Sequence, residues 1–179
     1  MAHQTQVLEK LVALGVILSV VTAHLLGVAE ASNEPLLFMS HNFTYYVQVE
    51  MGAPGLDIAA PPINPGISAN FGQLTMFAFN ATEGQSRMSK PLGFVRGYTV
   101  ETSYVSGDMQ LLEVEFLEYN DGRYNGTIQY QGAVTPEGTE LAIVGGSGSF
   151  RGVRGYLVVT FSSSDPPFST FRHDVTLLE

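Results

Sequence analysis

From residue 36 onward the chain alternates apolar and polar residues in short runs, broken by Gly, Pro, Asn, Asp and Ser. That period of two predicts strands over residues 36–49, 71–79, 92–104, 109–119, 124–132, 140–144, 153–163 and 170–178. No window repeats apolar residues at helical spacing, so no helix is expected. Ser106-Gly107-Asp108, Asn120-Asp121-Gly122 and Pro136-Glu137-Gly138 each carry turn chemistry between adjacent runs, which predicts antiparallel hairpins. The connection 52–70, rich in proline and glycine, is the one long loop expected. The pattern predicts an all-β chain, an eight-stranded antiparallel up-and-down β-barrel whose interior could hold one small ligand, with a sandwich as the alternative.

Alternation also sorts side chains into faces. Val153, Gly155, Leu157, Val159 and Phe161 form one set, opposed by Arg154, Tyr156, Val158 and Thr160. In the run 111–117, Glu113 and Glu115 share a face with Leu111 and Leu117. Paired charges are seldom buried, so this mixed face is expected on the solvated outside.

The front of the chain changes the picture. Residues 1–10 are polar and contain Lys10; an apolar run follows, then Ala29-Glu30-Ala31. This describes a secretory signal peptide occupying 1–31, followed by one domain over 32–179. The expected destination is extracellular, with no membrane span in the mature chain. Three N-x-S/T sequons, at Asn42, Asn80 and Asn125, suit that route. Asn80 and Asn125 are the candidate glycosylation sites; Asn42 is expected to point into the barrel.

Composition mainly excludes. A net charge of −9 argues against nucleic acid, which demands clustered cations. With Cys 0 there is no disulfide framework, thiolate metal site or cysteine nucleophile, and neither a metal nor a cofactor is expected. Gly145, Gly146 and Gly148 fail the spacing of a phosphate loop and instead suit a sharp turn.

Four stretches, in order, resemble one family: LLFMSHN, the run FGQLTMFAFNATEGQSRMSKPLGFVRGYTVE, GRYNGTIQYQG, and ELAIVGGSGSFRGVRGY. They are similar to the motifs of the plant dirigent proteins, across nearly all of the mature chain. The resemblance implies an eight-stranded barrel, secreted to the apoplast and assembled as a homo-oligomer, dimer or trimer. It implies stereoselective coupling of phenoxy radicals from monolignols such as coniferyl alcohol into optically active lignans. A separate laccase or peroxidase makes those radicals, the protein having no oxidase activity of its own. Some members also assist ring closure of a quinone methide by acid catalysis.

Mapped residue by residue, the resemblance makes Arg154 an inward arginine that touches a phenol or methide oxygen. Tyr98, Tyr104 and His41 become pocket candidates. Two positions depart from the family: Asn42 stands where its first-strand aspartate would act as an acid, and Ser149 where several coupling members carry a second aspartate. An amide cannot shuttle a proton near neutral pH. His173 is assigned no role. Two other classes are compatible: an isomerase similar to allene oxide cyclases, on the strength of GGSGSFRG, and a non-catalytic wall-binding barrel.

Overall fold

The computed structural model describes residues 42–178 apart from 51, 53, 54, 67, 68, 106, 107 and 137. The expected signal peptide and His41 lie outside the described residues. The strands are β1 (Asn42–Glu50), β2 (Leu56–Ala60), β3 (Leu74–Thr82), β4 (Pro91–Glu101), β5 (Leu111–Asn120), β6 (Asn125–Thr135), β7 (Gly138–Gly148), β8 (Arg154–Asp165) and β9 (Phe168–Leu178). No helix occurs among the described residues.

All pairings are antiparallel, in the order β1-β9-β8-β7-β6-β5-β4-β3, and β1 closes on β3 through Tyr46–Thr82, Val47–Ala81 and Gln48–Asn80. Those eight strands are the expected barrel. Closure removes the exposed edges that an open sheet would present. The expected long loop contains a strand of its own: β2 pairs along the part of β3 that β1 leaves free, setting Leu56 against Phe77 and Asp57 against Met76.

One end of the barrel is filled. Phe43, Tyr119, Tyr124 and Phe150 meet there, with ring centroids 5.3 Å apart for Phe43–Tyr119 and 5.6 Å for Tyr119–Phe150. Leu92, Val153 and Leu177 close the same end, while Leu117, Ile128, Leu141, Leu157 and Val175 are fully or almost fully buried above them. Burying each such side chain is worth about 1.5–3 kcal/mol. Toward the other end the inward residues Thr75, Thr99, Leu111, Val134 and Phe171 are only half-buried, and Phe161 is 62% exposed. The lumen therefore opens at that end.

A polar clasp secures the closing seam. Gln48, buried on β1, donates from Nε2 to Thr82 Oγ1 at 2.9 Å and to the Gln85 carbonyl at 3.2 Å, and its Oε1 accepts from Thr170 Oγ1 at 3.0 Å. Truncation would take away the acceptor of the buried Thr170 hydroxyl and one donor to Thr82, whose hydroxyl still donates to the Gly84 carbonyl at 2.9 Å. Gln48→Ala is expected to lower unfolding free energy by about 2 kcal/mol in a urea titration, and a loss below about 0.5 kcal/mol would show that the seam does not depend on it.

Candidate functional site

The strand register decides which side chains enter the lumen, and it reverses one expectation outright. Leu117 pairs with Val95 and Ile128, both buried in the core, so the alternate residues Glu115 and Glu113 also point inward. Glu115 is 3% exposed. The mixed face expected outside is lumen. Two carboxylates are tolerated there because neither need be charged, as the surroundings of Glu115 show.

Glu115 sits among Tyr130 from β6, Tyr45 from β1 and His173 from β9, all buried. Tyr45 Oη and His173 Nδ1 are hydrogen-bonded at 3.0 Å, and His173 Nδ1 lies 4.0 Å from Glu115 Oε1. Among the described residues, two buried side-chain oxygens, Glu115 Oε1 and Tyr130 Oη, make no hydrogen bond of ordinary geometry, although Glu113 and Tyr45 respectively interact with the two groups. Another buried carboxylate, Glu101 near the open end, shows the ordinary arrangement: its Oε1 accepts from the backbone N–H groups of Ser103, at 3.2 Å, and Gln110, at 3.0 Å. Buried polar groups are usually satisfied in that way, so the unpaired atoms of Glu115 and Tyr130 are exceptions with a place for a ligand's donor or acceptor.

Burial sets the protonation of the cluster. Removal from water, and then the neighbouring Glu113, push the Glu115 carboxyl well above the usual carboxylate range. Glu113 is raised by the same loss of hydration. Burial drives His173 down to about 3, so its ring is neutral at physiological pH. Desolvation raises the phenols of Tyr45 and Tyr130 well above their usual value. The cluster is thus a set of neutral proton donors and acceptors in an apolar chamber, next to the stacked rings of Phe77 and Phe79, whose centroids are 5.5 Å apart. Such a chamber can bind a phenolic ring by its face and exchange protons with its oxygens.

The residues expected at the site are elsewhere. Arg154 is exposed on the outer face of β8, because its neighbours Val153 and Leu157 take the buried set. An inward guanidinium is therefore corrected to an outward one. Asn42 is exposed on the outside of β1, opposite in direction to Phe43 and Tyr45, so a glycan there would not enter the lumen. Tyr98 is likewise outward, since it alternates with Gly97, which faces Glu115 across the β4–β5 ladder. Tyr104 lies beyond the end of β4 and is 69% exposed. Ser149 is half-buried in the turn between β7 and β8, where its Oγ accepts from the Asn125 N–H at 3.1 Å, a structural contact. Asn80 and Asn125 are exposed, Asn80 within β3 and not in the turn that follows.

A concave surface also lies along the outer side of the sheet. A groove of about 740 Å³ lies against β3–β7, lined by Met76, Arg96, Tyr98 and Val144 on the outer side and including Glu115 and Tyr130 of the lumen set. It is open to water, and Arg96 is already paired with Glu118 and lies over the Phe94 ring. The unpaired buried polar atoms are in the lumen, and the lumen is the candidate site. No group of His, Asp and Glu suited to a metal ion occurs among the described residues.

The sequence carried a signal for this site that spacing alone could misplace: Glu113 and Glu115 fall in phase with Leu111 and Leu117. Tyr45, Tyr130 and His173 gave none, since each comes from a different strand.

Comparison with known proteins points to one family and one fold. A family model described as dirigent-like protein matches residues 37–178. Pterocarpan synthase 1 of Glycyrrhiza echinata is 33% identical over 175 residues, covering 92% of this chain and 91% of its own length. Pterocarpan synthase 1 of Glycine max is 32% identical over 151 residues, covering 82% of this chain and 78% of its own length. The solved structure of the pterocarpan synthase dirigent protein PsPTS1 superposes with a TM-score of 0.65 at 28% identity, covering 77% of this chain and 94% of that one.

Proposed function

The chain belongs to the dirigent-like protein family, and from that premise we propose that it holds a phenol-derived intermediate in the barrel lumen and fixes the face on which the new bond forms. The observation that carries this is the pair of buried, unpaired atoms, Glu115 Oε1 and Tyr130 Oη, inside an aromatic-lined barrel. Stereocontrol needs a rigid wall that presents one face of a reactive centre, and a small closed barrel supplies one.

The bond in question is best read as an intramolecular ether closure on a quinone methide. The chamber holds proton-bearing groups, which ring closure uses and radical coupling does not need. Relatives named pterocarpan synthases favour the same choice, since a pterocarpan is a ring-closed aryl ether.

The second reading is stereoselective coupling of monolignol radicals toward a lignan, with a separate laccase or peroxidase as oxidant. It is favoured by Asn42, which puts no acid at the first-strand position that the dirigent motifs reserve for one.

One experiment separates them. The protein is incubated in parallel with a racemic phenolic benzylic alcohol bearing an internal second hydroxyl, and with coniferyl alcohol plus a one-electron oxidant. Products are resolved by chiral chromatography. Ring closure predicts an enantiomerically enriched cyclic ether in the first arm and racemic dimers in the second; the reverse pattern would replace the first reading with the coupling one.

A further inference from the structure

We propose that the barrel lumen also receives organic cations: it binds a protonated primary amine carried on a short arm from an aromatic ring, with Glu115 as the counter-ion. Such a ligand is held and not converted, so its binding does not depend on the ring-closure reading.

Charge is unevenly divided between the two faces of the barrel. Every lysine and arginine among the described residues lies outside: Arg87, Arg96 and Arg172 pair with Asp165, Glu118 and Asp174, and the others are exposed. At the centre of the lumen stand two carboxyls, Glu113 and Glu115, in phase on β5. Facing Glu115 are Tyr130 from β6, Tyr45 from β1 and His173 from β9, the last neutral at physiological pH. Opposite it β4 presents Gly97, and the Phe77 ring of β3 lies 2.9 Å from where a Cβ on that glycine would stand. The inward residues of β7 and β8 at this level are aliphatic, and Glu101, nearer the mouth, already accepts from the N–H groups of Ser103 and Gln110. Among the described residues, then, no positive charge faces Glu115.

Without a cation beside it, a carboxyl removed from water is driven toward its acid form. A ligand that brings the cation reverses this, because opposite charges attract more strongly where water is excluded. An ammonium group has three N–H donors to satisfy. Glu115 Oε1 and Tyr130 Oη, which make no hydrogen bond of ordinary geometry, supply two acceptors, and the Glu113 carboxyl supplies a third. The aromatic rings around the cluster add their own attraction for a cation. A neutral hydroxyl in the same place makes only neutral hydrogen bonds, about half as strong as charge-assisted ones. The protons balance: the ammonium keeps its three, Glu113 keeps its one, and Glu115 releases its one to solvent as the ligand enters. Affinity therefore rises with pH, by up to about tenfold per unit, until Glu115 ionises in the empty barrel.

Isothermal titration calorimetry of the folded chain at pH 6, 7 and 8 compares tyramine, a phenol with a protonated amine arm, with tyrosol, the neutral alcohol of the same shape. Tyramine is expected to bind about tenfold or more tighter than tyrosol at pH 8. At pH 7 its binding should release about one proton, read from buffers of different ionisation enthalpy. Its advantage should vanish in Glu115→Gln and persist in Glu140→Gln, which removes an exposed carboxylate from the outer face of β7. Absence of tyramine binding, tyrosol binding as tightly, or binding without proton release overturns the proposal. So does an advantage that survives Glu115→Gln or is lost in Glu140→Gln. The first three results come from the unaltered protein and decide the matter even where Glu115→Gln fails to fold.

Discussion

Replacing Glu115 by glutamine is expected to make the barrel more stable at alkaline pH and to flatten its dependence on pH there. The sign follows from the direction of each shift. Burial raises the Glu115 carboxyl above its value in the unfolded chain, so the stability linked to it is complete at low pH and is lost as pH rises toward the folded value. His173 acts oppositely. Held neutral down to about 3, it contributes stability above the unfolded histidine value and loses it as pH falls. Between the unfolded values of Glu and His, about 4.5 and 6.5, the two slopes oppose each other.

Above about pH 6.5 only the carboxyl slope remains, about 1.4 kcal/mol for each pH unit until Glu115 ionises in the folded protein, with Glu113 adding to it. Glu115→Gln keeps the shape of the side chain and removes its titration. Denaturant titrations at pH 5, 6, 7 and 8 are expected to show wild-type stability declining over the last two steps more steeply than that of the variant, in which only Glu113 still titrates. Equal declines in the two proteins would mean that Glu115 is ionised in the folded barrel already at pH 7.

The second large effect is expected at Gly155, next to the arginine that the sequence singles out. Gly155 points into the barrel with φ +144°, and a Cβ added there would overlap the Thr176 carbonyl oxygen of β9. Both features count against any side chain: the backbone angle is one that L-residues rarely adopt, and the obstacle is main chain within a continuous ladder. Gly155→Ala should cost about 3 kcal/mol or more. Arg154→Ala, one residue away on the exposed face, should stay within about 0.5 kcal/mol of wild type. Parallel urea unfolding of the two variants checks this, and a near-neutral Gly155→Ala would mean that β8 and β9 can separate locally at no cost. In the segment from Val153 to Tyr156 the glycine is the constrained position.

The eight barrel strands were legible because each is a short alternating run between turn residues, a signal local enough to survive without tertiary context. The strand β2 was not, since five residues, Leu56 to Ala60, lying between prolines and glycines and too short to show a period, become a strand only because β3 has a free edge there. Its pairing partner creates it. Likewise, the glycines at 145 and 146 read as a turn but belong to β7, where a register shift between Gln129 and Tyr130 takes up the irregularity.

Face assignment is where local information ended. Alternation placed Glu113 with Leu111 and Leu117, and Arg154 with Tyr156, correctly; it could not say which set is inside. The general rule that charges avoid burial then sent the glutamates out, and motif resemblance sent the arginine in. Both were reversed by pairing across strands. Leu117 opposes Val95 and Ile128, so its whole set turns inward and takes the carboxyls with it. The rule failed because it concerns charged groups, and burial among tyrosines and a neutral histidine pushes a carboxyl toward its protonated form.

By itself, then, the sequence determined the strand positions, the hairpin order, the closed barrel and, through its ordered motifs, the family, all of which depend on near neighbours or on patterns that can be counted along one chain. Only the tertiary structure decided the inward face of β5, the outward direction of Arg154, Asn42 and Tyr98, and the meeting of Tyr45, Glu115, Tyr130 and His173. Those depend on the register in which the strands close, and closure joins residues such as Tyr45 and His173 that lie 128 positions apart.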